Sequence, residues 1–172
     1  RVPAIPGGEP ISPAPDSAIA RALSVLAAAK RPVAVIGATA MRIGKFGLLR
    51  QFVERHRLPF LTTTMAKGLV DDDHPLALGC LERARRQVQR AFLRGADLVV
   101  GVGYDTVEVE YEAWIGGTAL LQIDIEPVDT NGKVKVVHEV VGDLESSLAR
   151  LAAAAPIVNA WTDAELRRQR DG

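Results

Sequence analysis

The chain has 172 residues, of which 48% are hydrophobic, and its 21 lysines and arginines balance 21 aspartates and glutamates. This length and composition predict one globular domain with a sizeable core, and no apolar run reaches the roughly 18 residues that span a membrane. The balanced charge gives no reason to expect nucleic acid or a membrane surface as a partner.

The two ends of the chain have the composition of connecting segments. Five prolines and two glycines in the first fifteen residues are typical of an extended linker. Near the other end, Thr162 and Glu165 have the spacing of a helix capping box, with Trp161 and Leu166 placed as a hydrophobic staple. We therefore expect residues 1–15 to be an interdomain linker, 16–156 an α/β domain, and 157–172 the start of a linker to a missing domain. The first residue, Arg1, also suggests a fragment.

Helical and extended patterns alternate between those ends. Either Asp16 or Ser17 caps the first helix. The expected strands are residues 31–37, 59–63, 96–103, 118–125 and 134–143. The expected helices carry apolar faces formed by Ile19, Leu23 and Leu26; by Phe46, Leu49, Val53 and His56; by Ala84, Val88, Ala91 and Phe92; and by Leu144, Leu148 and Leu151.

Continuous apolar strands separated by amphipathic helices indicate a parallel sheet covered on both faces. The fold class is therefore α/β: a doubly wound, mostly parallel, five- or six-stranded, Rossmann-like sheet. Ligands of such folds lie beyond the carboxyl ends of the strands. The candidate site residues are thus those that follow each strand.

Three of these positions have both a ligand interpretation and a structural one. Gly37, Ala38 and Thr39 could let a pyrophosphate approach backbone amides, or could simply turn the chain. Asp124 could bind ribose hydroxyls, or could cap a turn. Asp143 is expected to cap the final helix, although the same position could face an adenine or a ribose.

The remaining reactive side chains favour structural roles. The single cysteine, Cys80, excludes an intrachain disulfide and a cysteine-based zinc site and is expected to be inert packing, which fits a cytoplasmic protein. His74 is expected to form a turn or a hydrogen bond. Residues 71–73 are expected to be a solvated acidic turn rather than an ion site, and Lys67 a surface lysine.

Five segments in a fixed order resemble the central domain of thiamine-diphosphate-dependent enzymes, acetolactate synthase-like proteins above all. They are RPVAVIG, LPFLTTTMAKGLVDDDHPLALG, ADLVVGVG, LLQIDIEP and VVGD, and they run from about residue 31 to residue 151. The resemblance implies an intact enzyme with a pyrimidine-binding domain before this one and a diphosphate-binding domain after it. Thiamine diphosphate and magnesium would bind in those domains, and the intact enzyme would be a homodimer or homotetramer. The isolated chain, a fragment of a transferase, is expected to be inactive.

The resemblance also implies where a flavin or ADP would lie, since some relatives hold FAD or ADP in this domain. The residues it implies are Gly37, Ala38 and Thr39 for the pyrophosphate, Thr63, Thr64 and Met65 for the flavin, Leu78 and Gly79 for the ribityl chain, Asp124 and Glu126 for the adenosine ribose, and Asp143 for the adenine; Gly103 is a second strand-end glycine that favours binding.

One segment departs from the FAD-binding pattern. FAD-binding members have an arginine after the strand that ends at Gly103, whereas here no arginine stands between Gly103 and Trp114. The segment resembles catabolic, FAD-independent acetolactate synthases instead, and Val107, Glu108 and Tyr111 are expected to crowd the pyrophosphate position. We therefore expect no flavin, and interpret residues 62–79 as a strand end and connecting loop. The alternative is a free-standing FAD-, NAD- or ADP-binding module without thiamine chemistry.

Overall fold

The computed structural model of the protein describes residues 10–81, 86–106 and 110–171. The strands are β1 (Pro32–Ile36), β2 (Phe60–Thr62), β3 (Ala77–Cys80), β4 (Leu98–Val102), β5 (Ala119–Asp124) and β6 (Val136–Val141). The α-helices are α1 (Asp16–Ala28), α2 (Gly47–Arg55), α3 (Arg86–Leu93), α4 (Leu144–Ala153) and α5 (Asp163–Asp171), with 3-10 turns at Ala38–Arg42 and Tyr111–Ala113.

The strands form one parallel sheet in the order β3-β2-β1-β4-β5-β6, which confirms the predicted doubly wound α/β fold. Strand β1 pairs with β2 on one side, where Ala34 lies opposite Phe60, and with β4 on the other, where Ala34 lies opposite Val100. The chain order thus reverses between β1 and β4. Because crossover connections are right-handed, this reversal places α3 on the face opposite α2.

The central strands are apolar throughout because helices cover both faces of the sheet. Every residue of β1 and of β4 is buried, and these strands consist of valine, isoleucine, leucine and alanine with one proline and one glycine. On one face α4 packs against both α1 and α2. Leu144, Leu148 and Leu151 of α4 are buried, as their spacing predicted.

Three details of the predicted elements are wrong. Residues 77–80 form strand β3, although they were expected to be part of a connecting loop. Helix α1 begins after Pro15 without a side-chain cap from Asp16 or Ser17. In α2, Phe46 precedes the helix and is exposed, whereas Leu49, Phe52 and Val53 are buried.

The predicted apolar face of α3 is correct only at Phe92, which packs against the core. Val88 is 43% exposed and Ala91 is exposed, whereas Gln89 and Leu93 are buried. Ala84 lies outside the described residues. The side chains at positions 89 and 93 share one helix face because they are four residues apart.

Both terminal segments pack against the domain. The Asp143 N–H donates to the Ser12 carbonyl (2.8 Å), and a side chain at Gly142 would lie 2.5 Å from the Ala14 nitrogen. Thr162 and Glu165 form the predicted capping box. None of the helices among the described residues has the length and apolar character that crossing a membrane requires.

The aromatic residue before α5 anchors that end of the chain. The Trp161 indole N–H donates to the Pro32 carbonyl (2.8 Å), and its ring stacks on Phe92 with ring centroids 4.6 Å apart. The Arg31 guanidinium lies 3.8 Å from the centre of the same ring and pairs with Glu165 at 2.9 Å.

Candidate functional site

A cavity of about 330 Å³ opens at the carboxyl edge of the sheet, beside the point where the strand order reverses. We refer to it as the carboxyl-edge cavity. The segments that follow β1, β4 and β5 supply its walls. Its lining residues are Thr39, Arg42, Tyr104, Asp105, Thr106, Gln122, Asp124, Ile125, Glu126, Pro127, Val128 and Asp129. This is the position at which doubly wound folds bind their ligands.

Asp124, the last residue of β5, is the most buried carboxylate of the cavity, with 6% of its surface exposed. Its Oδ1 accepts the Ile125 N–H (2.7 Å) and its Oδ2 accepts the Gln122 side-chain amide (3.1 Å). Burial, helped by the nearby carboxylates of Asp105 and Glu126, raises the pKa of Asp124 from 3.8 to about 6. The two carboxylate oxygens retain lone pairs that could accept ribose hydroxyls.

A buried hydrogen-bond chain holds Gln122 in place beneath Asp124. The Tyr111 hydroxyl donates to Gln122 Oε1 (2.6 Å), and the Gln122 amide also reaches the Tyr104 carbonyl (3.3 Å). This contact requires glycine at position 101, because a Cβ there would collide with both the Tyr111 hydroxyl and the Gln122 side chain. Burial raises the pKa of Tyr111 well above its ordinary value, so its hydroxyl remains a donor.

This position of Tyr111 corrects one expectation. Tyr111 was expected to crowd the pyrophosphate position, but its side chain is fully buried and stacks on Tyr104 at 4.4 Å between ring centroids. Val107 and Glu108, which were expected to crowd the same position, lie outside the described residues.

The backbone after β1 has few amides left for a phosphate. The Gly37 N–H donates to the Val102 carbonyl (3.0 Å), the Thr39 N–H to the Gly103 carbonyl (3.0 Å), and the Ala40 N–H to the Gly37 carbonyl (3.1 Å). The loop after β1 and the loop after β4 contact each other at Gly37 and Gly103. A Cβ on Gly37 would lie 2.5 Å from the Tyr104 Cα, and a Cβ on Gly103 would lie 2.5 Å from the Ala40 nitrogen. These glycines therefore permit loop packing rather than exposing a phosphate cradle.

The charge of the carboxyl-edge cavity is mainly negative. Four carboxylates line it, those of Asp105, Asp124, Glu126 and Asp129, against the single cation of Arg42. Arg42 was missed in the sequence, although its position in the segment after β1 could have indicated it. Within the described part of the chain Arg42 has no ion pair. This lining suits hydroxyl or amino groups better than a pyrophosphate.

The structure brings only three of the predicted cofactor residues into this cavity: Thr39, Asp124 and Glu126. Leu78 and Gly79 belong to β3 and line a separate cavity of about 180 Å³ with Gln89. Asp143 is the N-cap of α4, as predicted, and its Oδ1 accepts the Ser146 N–H (2.7 Å).

The threonines after β2 help to fold their own loop. The Thr63 N–H donates to the Ile36 carbonyl (2.9 Å), and its side-chain oxygen accepts the Ala66 N–H (3.3 Å). Thr64 Oγ1 lies 3.8 Å from Cys80 Sγ. Met65 is 56% exposed at this end of the sheet.

The histidines and the acidic turn have structural contacts. His74 is buried, accepts the Leu76 N–H at Nδ1 (3.2 Å) and lies 3.1 Å from Glu54 Oε1 through Nε2, as its predicted hydrogen-bonding role requires. His56 lies 2.9 Å from the Leu151 carbonyl, and burial lowers its pKa. Residues 71–73 are exposed. No group of three potential metal ligands occurs among residues 10–81, 86–106 and 110–171.

Comparisons with known proteins match most of the chain. A sequence model of the family described as "Thiamine pyrophosphate enzyme, central domain" matches residues 19–151. The chain is 34% identical over 145 residues to "Oxalyl-CoA decarboxylase" of Escherichia coli, which covers 82% of this chain and 24% of that protein. It is 34% identical over 147 residues to "Pyruvate oxidase" of Lactiplantibacillus plantarum, with 84% and 24% covered.

Two further relatives extend the comparison. "Acetolactate synthase large subunit" of Parasynechococcus marenigrum is 31% identical over 170 residues, with 92% of this chain and 27% of that protein covered. A solved structure described as a putative thiamin diphosphate-dependent enzyme from Mycobacterium smegmatis superimposes with a TM-score of 0.69 and 28% identity, covering 88% of this chain and 30% of that one. The chain thus spans about a quarter of the length of these curated relatives.

Proposed function

Because the chain belongs to the family of thiamine pyrophosphate enzyme central domains, which confirms the resemblance drawn from its sequence, we propose that it is the central structural domain of a thiamine-diphosphate-dependent carboligase or decarboxylase similar to acetolactate synthase. In the intact enzyme the reaction would join two pyruvates with loss of CO2. Residues 1–15 and 157–172 would lead to the pyrimidine-binding and diphosphate-binding domains, and the intact enzyme would be a cytoplasmic homodimer or homotetramer.

The residues described in this chain do not fit magnesium. They contain no group of three carboxylate, histidine or cysteine ligands. We infer that magnesium, together with the thiamine diphosphate that the family implies, would be held by other domains. The contribution of this chain would be to support those domains and shape the approach to their active site.

The acidic carboxyl-edge cavity is the observation that carries the second part of the proposal, that nucleotide binding is weak or vestigial. A dianionic pyrophosphate would meet four carboxylates and one arginine there. Hydrogen bonds from charged donors are the strong ones for phosphate, but Arg42 is the single charged donor in the lining, and the neighbouring backbone amides already donate to backbone carbonyls. Asp124 retains capacity for a ribose, so a weak ADP or FAD site remains compatible with the cavity.

The test compares the isolated chain with the full-length polypeptide that carries it. With thiamine diphosphate, magnesium and pyruvate, we expect acetolactate from the full-length polypeptide and none from the isolated chain. Calorimetry should show no thiamine diphosphate binding to the isolated chain. Turnover by the isolated chain that survives repurification would refute the proposal that other domains hold the catalytic groups. A full-length polypeptide without activity on pyruvate would refute the proposed reaction.

A second candidate, a free-standing nucleotide-binding module, is favoured by Asp124 and its position at the strand order reversal. It requires one FAD, NAD or ADP per purified chain. Mass spectrometry of the supernatant after denaturation measures this directly. A stoichiometric nucleotide would favour the module over the vestigial site.

A further inference from the structure

A second cavity lies at the amino ends of the strands, on the side of the sheet opposite to the carboxyl-edge cavity. It has a volume of about 530 Å³, and we refer to it as the amino-edge cavity. Arg90, in the last turn of α3, and Arg94, directly after that helix, form one side. The segments that lead into β4 and β5 and the residue before β6, Lys135, form the rest. Its volume falls within the roughly 300–1,000 Å³ of small-molecule sites.

Three cations line this cavity: Arg90, Arg94 and Lys135. Within the described part of the chain none of them takes part in an ion pair. The Nε atom of Arg90 is buried and has no hydrogen-bond partner. A buried donor without a partner costs roughly 1–3 kcal/mol, so the chain itself does not fully satisfy the Arg90 guanidinium.

The two carboxylates that line the same cavity already accept backbone hydrogen bonds. Asp97 accepts the N–H groups of Lys30 (2.7 Å) and Arg31 (2.8 Å), one on each oxygen. Glu112 accepts the Asn131 N–H (2.6 Å). Neither carboxylate therefore neutralises the three cations by direct contact.

The two edges of the sheet have opposite electrostatic character. Three cations and two carboxylates line the amino-edge cavity, whereas one cation and four carboxylates line the carboxyl-edge cavity. An anion that approaches this domain is therefore favoured at the amino edge. Arginine presents a planar set of donors that matches phosphate, and lysine adds a point charge.

We propose that the amino-edge cavity binds a phosphate-bearing small molecule through Arg90, Arg94 and Lys135. A phosphate group carries close to two negative charges at neutral pH, which suits three cations, whereas a single carboxylate would leave two of them unpaired. Arg90 supplies a partly buried guanidinium in the wall of the cavity, and the exposed side chains of Arg94 and Lys135 supply further charged donors. This site is separate from the carboxyl edge and from the proposed role in thiamine chemistry.

The chain offers a fluorescent reporter for this site. It contains two tryptophans, and Trp114 lines the amino-edge cavity, whereas Trp161 lies beside α5. In a Trp161→Phe background the emission of Trp114 can be followed during titration with inorganic pyrophosphate, with sodium acetate at matched ionic strength as the control anion. We expect a saturable change with pyrophosphate and none with acetate.

Single variants then test which cations bind. We expect Arg94→Gln and Lys135→Gln to weaken pyrophosphate affinity by about tenfold or more each, the effect of losing one hydrogen bond to a charged group. Lys133→Gln is the matched control, because Lys133 is exposed two residues away and does not line the cavity. Absence of saturable binding, an equal response to acetate, or an equal loss in Lys133→Gln would overturn the proposal.

Two further controls test which cavity holds the ligand and whether the chain associates with itself. Trp114 donates to the Tyr104 hydroxyl (3.0 Å), and Tyr104 lines the carboxyl-edge cavity, so a ligand there could also alter the emission. Asp124→Asn should leave pyrophosphate affinity unchanged, and a change of tenfold would assign the ligand to the other cavity and overturn the proposal. Light scattering should show no change in mass when pyrophosphate is added, since a signal that follows self-association would place a second copy in the cavity instead.

The substitutions are not expected to prevent folding, because the side chains of Arg94 and Lys135 are exposed. Circular dichroism verifies this for each variant. The salt dependence of wild-type binding gives a reading that needs no variant: affinity should fall as sodium chloride is raised, because ions screen exposed charges. Salt-independent binding would contradict the proposed contacts.

Discussion

Replacing Asp124 with asparagine is expected to change how the stability of the protein depends on pH. Burial raises the folded-state pKa of Asp124 to about 6, against 3.8 for an ordinary aspartate. The folded state therefore binds this proton more tightly than the unfolded state. Stability from this group is greatest at low pH and is lost as pH rises through about 6, whereas a carboxylate with a lowered pKa would behave in the opposite way.

The size of the effect follows from the two pKa values. Full ionisation in the folded state costs about 3 kcal/mol relative to the protonated form, because each pKa unit is worth about 1.4 kcal/mol. Between pH 7.5 and pH 4.5 the unfolding free energy should gain about 2 kcal/mol from Asp124, since the unfolded group is still mostly ionised at pH 4.5. For a chain of this length that corresponds to a melting temperature change of about 4–8 °C.

Urea unfolding of wild type and Asp124→Asn at several pH values measures this effect. The asparagine also disturbs the hydrogen bond from Gln122, but that cost is the same at every pH. The unfolding free energy of the wild type minus that of Asp124→Asn should therefore rise by about 2 kcal/mol as pH falls from 7.5 to 4.5. Acids far from Asp124 cancel in this subtraction: the pKa of Glu165, for example, is lowered to about 2 by its bonds to Thr162 and its pairing with Arg31.

Asp129→Asn is the matched control, because it removes an exposed carboxylate from the same cavity. It should leave the pH dependence of the wild type in place. The burial argument would be refuted if the difference in unfolding free energy between wild type and Asp124→Asn did not change with pH, or if it fell as pH is lowered. An equal effect in Asp129→Asn would attribute the pH dependence to the charge of the whole cavity rather than to Asp124.

Three further predictions concern single contacts and flavin. Gly101→Ala should destabilise the protein by at least about 2 kcal/mol in urea unfolding, since its methyl group displaces the Tyr111 hydroxyl, whereas Gly117→Ala, with open space around it, should change stability far less. Asp143→Ala should cost about 1 kcal/mol, because the Ser146 N–H at the start of α4 loses its acceptor. The purified chain should be colourless and show no flavin absorbance; one flavin per chain would contradict the weak-site proposal.

The sheet could be predicted because its central strands carry a strong local signal. Strands β1 and β4 are uninterrupted apolar runs that are each followed by a glycine, and buried parallel strands have that apolar pattern. Strand β3 could not be recognised in the same way. It has four residues, lies at the edge of the sheet, and contains Gly79 at a φ of +92°, so it resembles a loop.

The site was predicted only in part because side-chain partners are set by tertiary contacts. The place of Asp124 at the end of β5 follows from the strand pattern, and Gln122 could have been paired with it because residues two apart share a strand face. Tyr111 could not have been assigned, since its contact with Gln122 depends on how a connecting segment folds over Gly101. The same limit explains why Gln89 replaced the expected apolar residues on the inner face of α3.

The close contact between the loop after β1 and the loop after β4 also determines what would be needed to make the carboxyl-edge cavity a strong phosphate site. An added arginine near Gly103 would supply a hydrogen bond to a charged group, worth roughly 1.5–3 kcal/mol. It would not release the Thr39 N–H, which is bonded to the Gly103 carbonyl, nor remove the four carboxylates. Because the loops meet where Gly37 and Gly103 lack side chains, separating them would break backbone hydrogen bonds that hold β1 beside β4. The missing arginine is therefore one of several obstacles to pyrophosphate binding, and restoring it alone should not restore flavin.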